Sequence, residues 1–187
     1  ITKDGVCLYK MYLDCVEEVE SIRKFDYDMQ LIFDHGTLAH SMLQTYFLHM
    51  YEGQFEEEVW LKRKKLLITS HADGRFTFSG VRFILEIKSI KEGGSFGFAK
   101  VQDRPFKENV RQLMTYMALD NCPFGLLFYF CKNTGQIKEH PIVYNDEVWQ
   151  DLKQRVVLPV VAAVESGEHP PATPGYHCKK CEYFHGC

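Results

Sequence analysis

The ten residues Val81-Arg82-Phe83-Ile84-Leu85-Glu86-Ile87-Lys88-Ser89-Ile90 decide how this chain is read. Ser79-Gly80 before them marks a turn, and apolar, mostly β-branched or aromatic residues make up the run, which predicts a strand. Strand side chains alternate, so Phe83, Leu85, Ile87 and Ser89 share one face and Ile84, Glu86, Lys88 and Ile90 the other. A carboxylate and an ammonium group thus leave an apolar strand side by side. Burying them costs free energy unless they are paired or bound to metal. An exposed Glu–Lys pair on an edge strand is the plainer alternative, so the flanking sequence has to decide.

Upstream, Lys65 to Asp73 reads as a strand centred on Leu66-Leu67-Ile68, with Gly74 as a turn. Antiparallel pairing with the next strand would bring Asp73 beside Glu86. Two close carboxylates suit Mg²⁺ or Mn²⁺, hard ions that take oxygen ligands. Such an ion polarises a phosphate and lowers the pKa of a bound water, and Lys88 is placed to stabilise developing charge. Earlier still, a helix is expected after Gly36, with Ala39, Met42, Leu43, Tyr46, Phe47 and Met50 at helical spacing and His40 beside that stripe. A later helix from about Phe106 to Asp120 carries Gln112 and Tyr116 four residues apart, hence on one face. Taken singly, His40 reads as a core-edge histidine and Gln112 and Tyr116 as a polar flank.

The remaining elements are a helix from Cys7 to about Ile22, strands at Gly125–Lys132 and Gln136–Tyr144, and a long helix capped by Asn145-Asp146 that runs to Glu165 with a bend near Pro159. This order predicts an α/β (α+β) domain with a mixed central sheet flanked by helices. The 187 residues, 45% hydrophobic, fit one domain with its own core. An apolar run of the ~18 residues that span a bilayer is missing, and the first residues show no signal-peptide pattern, so a cytoplasmic protein without a membrane partner is expected. The net charge of −3 excludes a protein that coats nucleic acid nonspecifically, but not an enzyme whose acidic centre binds metal. Lys62-Arg63-Lys64-Lys65 is either a solvated edge or a phosphate-facing patch.

Seven cysteines with no secretory signal argue for metal or cluster binding over a disulfide framework. Cys178-x-x-Cys181 followed by Cys187 places three thiolates around one soft centre. Zinc, with His177 or His185 as fourth ligand, is one solution. Cys122 and Cys131 stand in apolar surroundings and read as core residues.

Gly-x-x-x-His at Gly36–His40, Asp73-Gly74, Glu86-Ile87-Lys88 and Gln112-x-x-x-Tyr116, in that order, resemble the RecB-like branch of the PD-(D/E)XK nucleases. The likeness spans Cys7 to Cys187, and its joint, ordered occurrence is more specific than any one motif. It implies a restriction-endonuclease-like core over 1–187, with an N-terminal helix (1–22) and a cysteine knuckle (176–187). It implies that His40, Asp73, Glu86 and the backbone carbonyl of Ile87 hold Mg²⁺ or Mn²⁺, with Lys88 as catalytic lysine. Gln112 and Tyr116 would orient the lysine or contact a DNA phosphate. Ala72 stands where the family's motif name has proline. The cluster-bearing members, which include CRISPR-associated exonucleases, imply a [4Fe–4S] cluster on Cys178, Cys181, Cys187 and an N-terminal cysteine. Cys7 is preferred to Cys15, since Cys7-Leu8-Tyr9-Lys10 resembles the start of the family's first helix, although without its proline. Such a cluster would join the two chain ends.

The resulting expectation is a metal-dependent deoxyribonuclease, an exonuclease on single-stranded DNA or DNA ends, serving CRISPR adaptation, phage recombination or DNA repair beside an integrase, helicase or recombination partner. The alternatives are a DNA-binding subunit with an inactive site and an RNA nuclease on the same scaffold.

Overall fold

The structure is a computed structural model that describes residues 6–16, 27–175, 178, 181 and 183. Its elements are α1 (Leu8–Val16), α2 (Tyr27–Met50), β1 (Phe55–Arg63), β2 (Ile68–Phe78), β3 (Val81–Ile90), α3 (Lys107–Asp120), β4 (Phe124–Cys131), β5 (Ile137–Val143), α4 (Asp146–Leu152) and α5 (Leu158–Ser166). They form two compact units. The larger comprises Tyr27–Arg63 and Ile68–Trp149, and the smaller Ile1–Asp26, Lys64–Leu67 and Gln150–Cys187.

The larger unit is the α/β core anticipated above. Its five-stranded sheet runs β1-β2-β3-β4-β5. All neighbours are antiparallel except β3 and β4, which are parallel and joined through α3. A parallel pair needs such a crossover, and the helix covers one sheet face. Leu113, Tyr116 and Met117 of α3 pack there on Val59, Leu61, Ala72, Ile84, Leu127 and Tyr129. Gly125 permits that approach, because a Cβ on it would lie 2.8 Å from Leu113 Cδ2 and Met117 Sδ. On the opposite face Leu43 and Phe47 of α2 pack on Phe55, Phe76, Leu85, Ile87 and Phe128. The alternation expected for β3 is therefore observed, and β4, flanked by strands and covered on both faces, is the continuous apolar run that such a position demands.

Several boundaries differ from the sequence reading. Helix α2 begins at Tyr27, so Gly36 lies inside it. Of its expected stripe, Ala39, Leu43 and Phe47 are buried, whereas Met42, Tyr46 and Met50 are exposed. β1 was not anticipated. β2 begins at Ile68, after a 3₁₀ turn at Lys64–Leu66 and a left-handed Leu67 (φ 53°), and it passes straight through Gly74. Gly74 is required there by space, because a Cβ would meet the ring of Phe55. The long helix divides into α4, a π turn at Lys153–Val157, and α5; the π turn directly precedes Pro159, whose missing N–H cannot continue the i→i−4 ladder. Asn145 Oδ1 caps it as expected, accepting the N–H of Glu147 at 2.9 Å.

In the smaller unit α1 lies against α5. The two chain ends also meet: the Tyr183 hydroxyl donates to Asp14 Oδ1 at 3.0 Å, and Lys10 Nζ stands 5.3 Å from the Tyr183 ring centroid. Residues 17–22 of the expected first helix lie outside the described residues, as do His177, His185 and Cys187.

Candidate active site

The site arises where two strands part. The β2–β3 ladder runs from Phe78↔Val81 to Gly74↔Leu85 and stops, while β1 follows β2 on to Ile68. Asp73 and Glu86 stand at the mouth of this fork. Asp73 Oδ2 accepts the backbone N–H of Ile87 at 2.6 Å, so a side chain takes over where the ladder ends.

A break in strand alternation prepares this position. In β1, Val59 and Leu61 face α3 but Phe55 faces α2; in β2, Ala72 and Phe76 divide in the same way. Residues of one parity thus lie on opposite faces. The change falls at Glu58, whose φ is 50°, and at Asp73 opposite it; the register passes from Glu57↔Gly74 to Val59↔Ala72 around the pair. A left-handed conformation is costly for a residue other than glycine, and such strain concentrates at functional positions.

Helix α2 grips Asp73 twice. His40 Nδ1 lies 3.1 Å from Asp73 Oδ1. One turn later Gln44, only 4% exposed, donates through Nε2 to the Asp73 carbonyl at 2.8 Å and to Glu58 Oε1 at 2.8 Å. His40 and Gln44 are four residues apart, hence on one helix face.

Glu86, on the α3 side of β3, is 3% exposed. Burial first, then the neighbouring Asp73 carboxylate, push its pKa up to about 7 against the opposing pull of Lys88 and His40. Lys88 Nζ contacts Glu86 Oε1 at 2.6 Å and donates to Gln112 Oε1 at 2.8 Å. Gln112 Nε2 in turn donates to the Tyr116 hydroxyl at 2.7 Å. Burial, then Glu86, raise the Tyr116 pKa, and Ser70 of β2 hydrogen-bonds it as well. A single chain of bonds therefore runs from Glu86 through Lys88 and Gln112 to Tyr116.

All six polar side chains singled out from sequence (His40, Asp73, Glu86, Lys88, Gln112 and Tyr116) come together in the larger unit. Gln44 and Glu58 were missed, although the spacing from His40 to Gln44 offered a signal. His71, unexplained from sequence, packs edge-on against Trp60 of β1, with ring centroids 3.5 Å apart. Two neighbouring carboxylates, one with its pKa pushed up by burial and then by the other, are a donor set that fits a hard divalent cation. Among the described residues no three His, Cys, Asp or Glu side chains converge on one metal position. At the fork His40 and Lys88 are turned onto the carboxylates instead.

The cysteines divide by environment. Cys122 and Cys131 are buried in the larger unit, as expected of core residues, and Cys122 Sγ donates to the Arg82 carbonyl. In the smaller unit Cys7, Cys178 and Cys181 are half-buried and Cys15 is exposed. The Gly175 N–H donates to Cys178 Sγ at 3.1 Å, and the Cys181 N–H donates to the Cys178 carbonyl at 3.1 Å. Burial and Asp14 push the Cys15 thiol up, which disfavours its thiolate.

The architecture that carries this fork is a mixed α/β core. Its likeness to solved structures is one of fold: an alkaline exonuclease (LHK-Exo) from Laribacter hongkongensis superposes with a TM-score of 0.58 at 14% identity, over 86% of this chain and 88% of that one. LHK-Exo in complex with dAMP gives 0.55 at 14% identity, over the same shares of the two chains. The protein SSO0001 gives 0.54 at 18% identity, over 81% of this chain and 68% of that one. No family model matches the sequence, and no curated protein matches it.

Proposed function

We propose that the protein is a divalent-metal-dependent deoxyribonuclease whose catalytic centre is the fork between β2 and β3. The observation that carries this reading is the placement of Lys88 Nζ between Glu86 Oε1 and Gln112 Oε1, on a carboxylate whose pKa the neighbouring Asp73 helps to raise. A charged amine held in a fixed direction at a pair of carboxylates is suited to phosphodiester hydrolysis, where negative charge grows on phosphate oxygens. Likeness of fold to an alkaline exonuclease supports the same reading.

In this account Asp73, Glu86, His40 and the Ile87 carbonyl hold Mg²⁺ or Mn²⁺. The bound ion supplies Lewis acidity and lowers the pKa of a bound water. Lys88 would position that water, or donate from Nζ to a phosphate oxygen as charge develops there, and Gln112 fixes its direction. Tyr116 anchors Gln112 and stands as a further donor toward a DNA phosphate. Gln44 keeps the Asp73 backbone in place.

The finer reading is an exonuclease that trims single-stranded DNA or DNA ends in the cytoplasm. Trimming of that kind serves CRISPR adaptation, phage recombination or DNA repair, with an integrase, helicase or recombination protein delivering the substrate. Cys7, Cys178, Cys181 and Cys187 would hold a [4Fe–4S] cluster that ties the chain ends, and no chemical step is assigned to it. Half-burial of Cys7, Cys178 and Cys181 and the amide bonded to Cys178 sulfur are compatible with ligand thiolates.

The test is release of nucleotides from a 5′-labelled oligonucleotide in Mn²⁺ by wild type and by Asp73→Asn. The reading expects release by wild type alone. Equal release by both would remove the fork as the catalytic centre.

A further inference from the structure

Trp60 lies in the middle of β1 between Val59 and Leu61, which are buried, yet 69% of its own surface is exposed. An indole in water on an ordered strand forgoes the hydrophobic stabilisation that burial would give, so a ligand with a flat apolar face has much to gain there. The ring is braced: its cross-strand partner is His71, whose ring meets it edge-on. Lys62, two residues along and therefore on the same face, is exposed, as is its partner Thr69. His71 in turn stands two residues, about 7 Å, from Asp73 on β2.

An aromatic platform with a cation at its side is how proteins hold unpaired nucleic acid without reading sequence. A base stacks on the ring while the cation takes a backbone phosphate. A duplex keeps the faces of its bases stacked on one another and offers the ring little. Bracing by His71 leaves less motion to lose on binding.

Resting on the nuclease reading of the fork, we propose that Trp60, braced by His71 and flanked by Lys62, is a stacking platform that binds a base of single-stranded DNA lying along the β1–β2 strands that border the fork. It makes the unpaired strand the preferred substrate.

The chain has two tryptophans, and Trp149 is only 7% exposed, so a ligand-induced change in fluorescence reports Trp60. Lys88→Ala protein is titrated with a short oligothymidylate and with a blunt duplex of equal length. The proposal expects quenching by the oligothymidylate and little by the duplex. Trp60→Ala should weaken oligothymidylate binding about 5- to 150-fold, the range for loss of one stacked base, and leave duplex binding unchanged. Trp60→Phe should restore most of the affinity. Lys62→Ala should weaken binding and flatten its salt dependence by about one ion. An absence of quenching, unaltered affinity in Trp60→Ala, or equal losses on both DNAs would overturn it. Failure of the nuclease reading is seen separately, as cleavage by Lys88→Ala. Because Trp60 is exposed, Trp60→Ala should melt as wild type does, and a large drop in melting temperature would instead make the residue structural and end the proposal.

Discussion

Lys88 Nζ lies 2.6 Å from Oε1 of Glu86, a nearly buried carboxylate. The pair is not self-sufficient. Burial and Asp73 still hold Glu86 up at about 7, so one ammonium group does not balance the two acids of the fork.

Stability should reflect that imbalance in metal-free protein. Glu86 rises from 4.5 to about 7 on folding, so across this window the folded chain binds more protons than the unfolded one. Stability therefore falls as pH rises from 4.5 through 7. Glu86→Gln removes the titration. In EDTA, its melting temperature relative to wild type should increase from about pH 5 to about pH 8. Parallel pH profiles for the two proteins would refute this.

Metal should take the place of the proton. On the proposed reading Mg²⁺ or Mn²⁺ would bind the ionised carboxylates in competition with protonation, so it should raise the melting temperature more at about pH 8 than at about pH 5.5. Asp73→Asn should lose most of that gain. A shift independent of pH, or one retained in Asp73→Asn, would place the metal elsewhere.

Gln44→Leu keeps much of the side chain's shape but removes the amide that bridges Glu58 and the Asp73 carbonyl. Leaving the Asp73 carbonyl without its donor should cost about 1–3 kcal/mol of stability, read by urea denaturation, while the carboxylate of exposed Glu58 can take water instead. Cleavage should also slow by roughly 10-fold as Asp73 loses its fixed position. Wild-type rates in the variant would reduce Gln44 to a packing residue.

Much of the fork was legible in the sequence because its key residues sit on regular elements. The alternation of Phe83–Ile90 and the four-residue spacing of Gln112 and Tyr116 describe local periodicities that the fold preserves. β1 was not legible, because its period of two breaks at the left-handed Glu58: Phe55 and Val59 share a parity but not a face. Glu56-Glu57-Glu58 and the basic run from Lys62 then look like solvated surface. Gly74 looked like a turn because the reason for it is the ring of Phe55, a contact nineteen residues away in sequence. Gln44 went unremarked since a glutamine on an amphipathic helix is ordinary until its partners are known.

The knuckle makes a separate prediction. Protein purified without oxygen should contain iron and absorb broadly near ~400 nm, as thiolate-bound clusters do. Cys7→Ser should lose that absorbance and Cys15→Ser keep it. A colourless protein with stoichiometric zinc would establish the zinc alternative, and the reverse pattern in the two variants would make Cys15 the ligand.

The most direct test of the central claim is cleavage of DNA labelled at the 5′ or the 3′ end, single-stranded and duplex, in Mn²⁺, by wild type and Lys88→Ala matched for circular dichroism. The account predicts cleavage by wild type and a loss of at least ~100-fold in the variant, the scale of removing one preorganised donor from a developing charge. Cleavage at similar rates by both proteins, or none by folded, metal-loaded wild type, would contradict it.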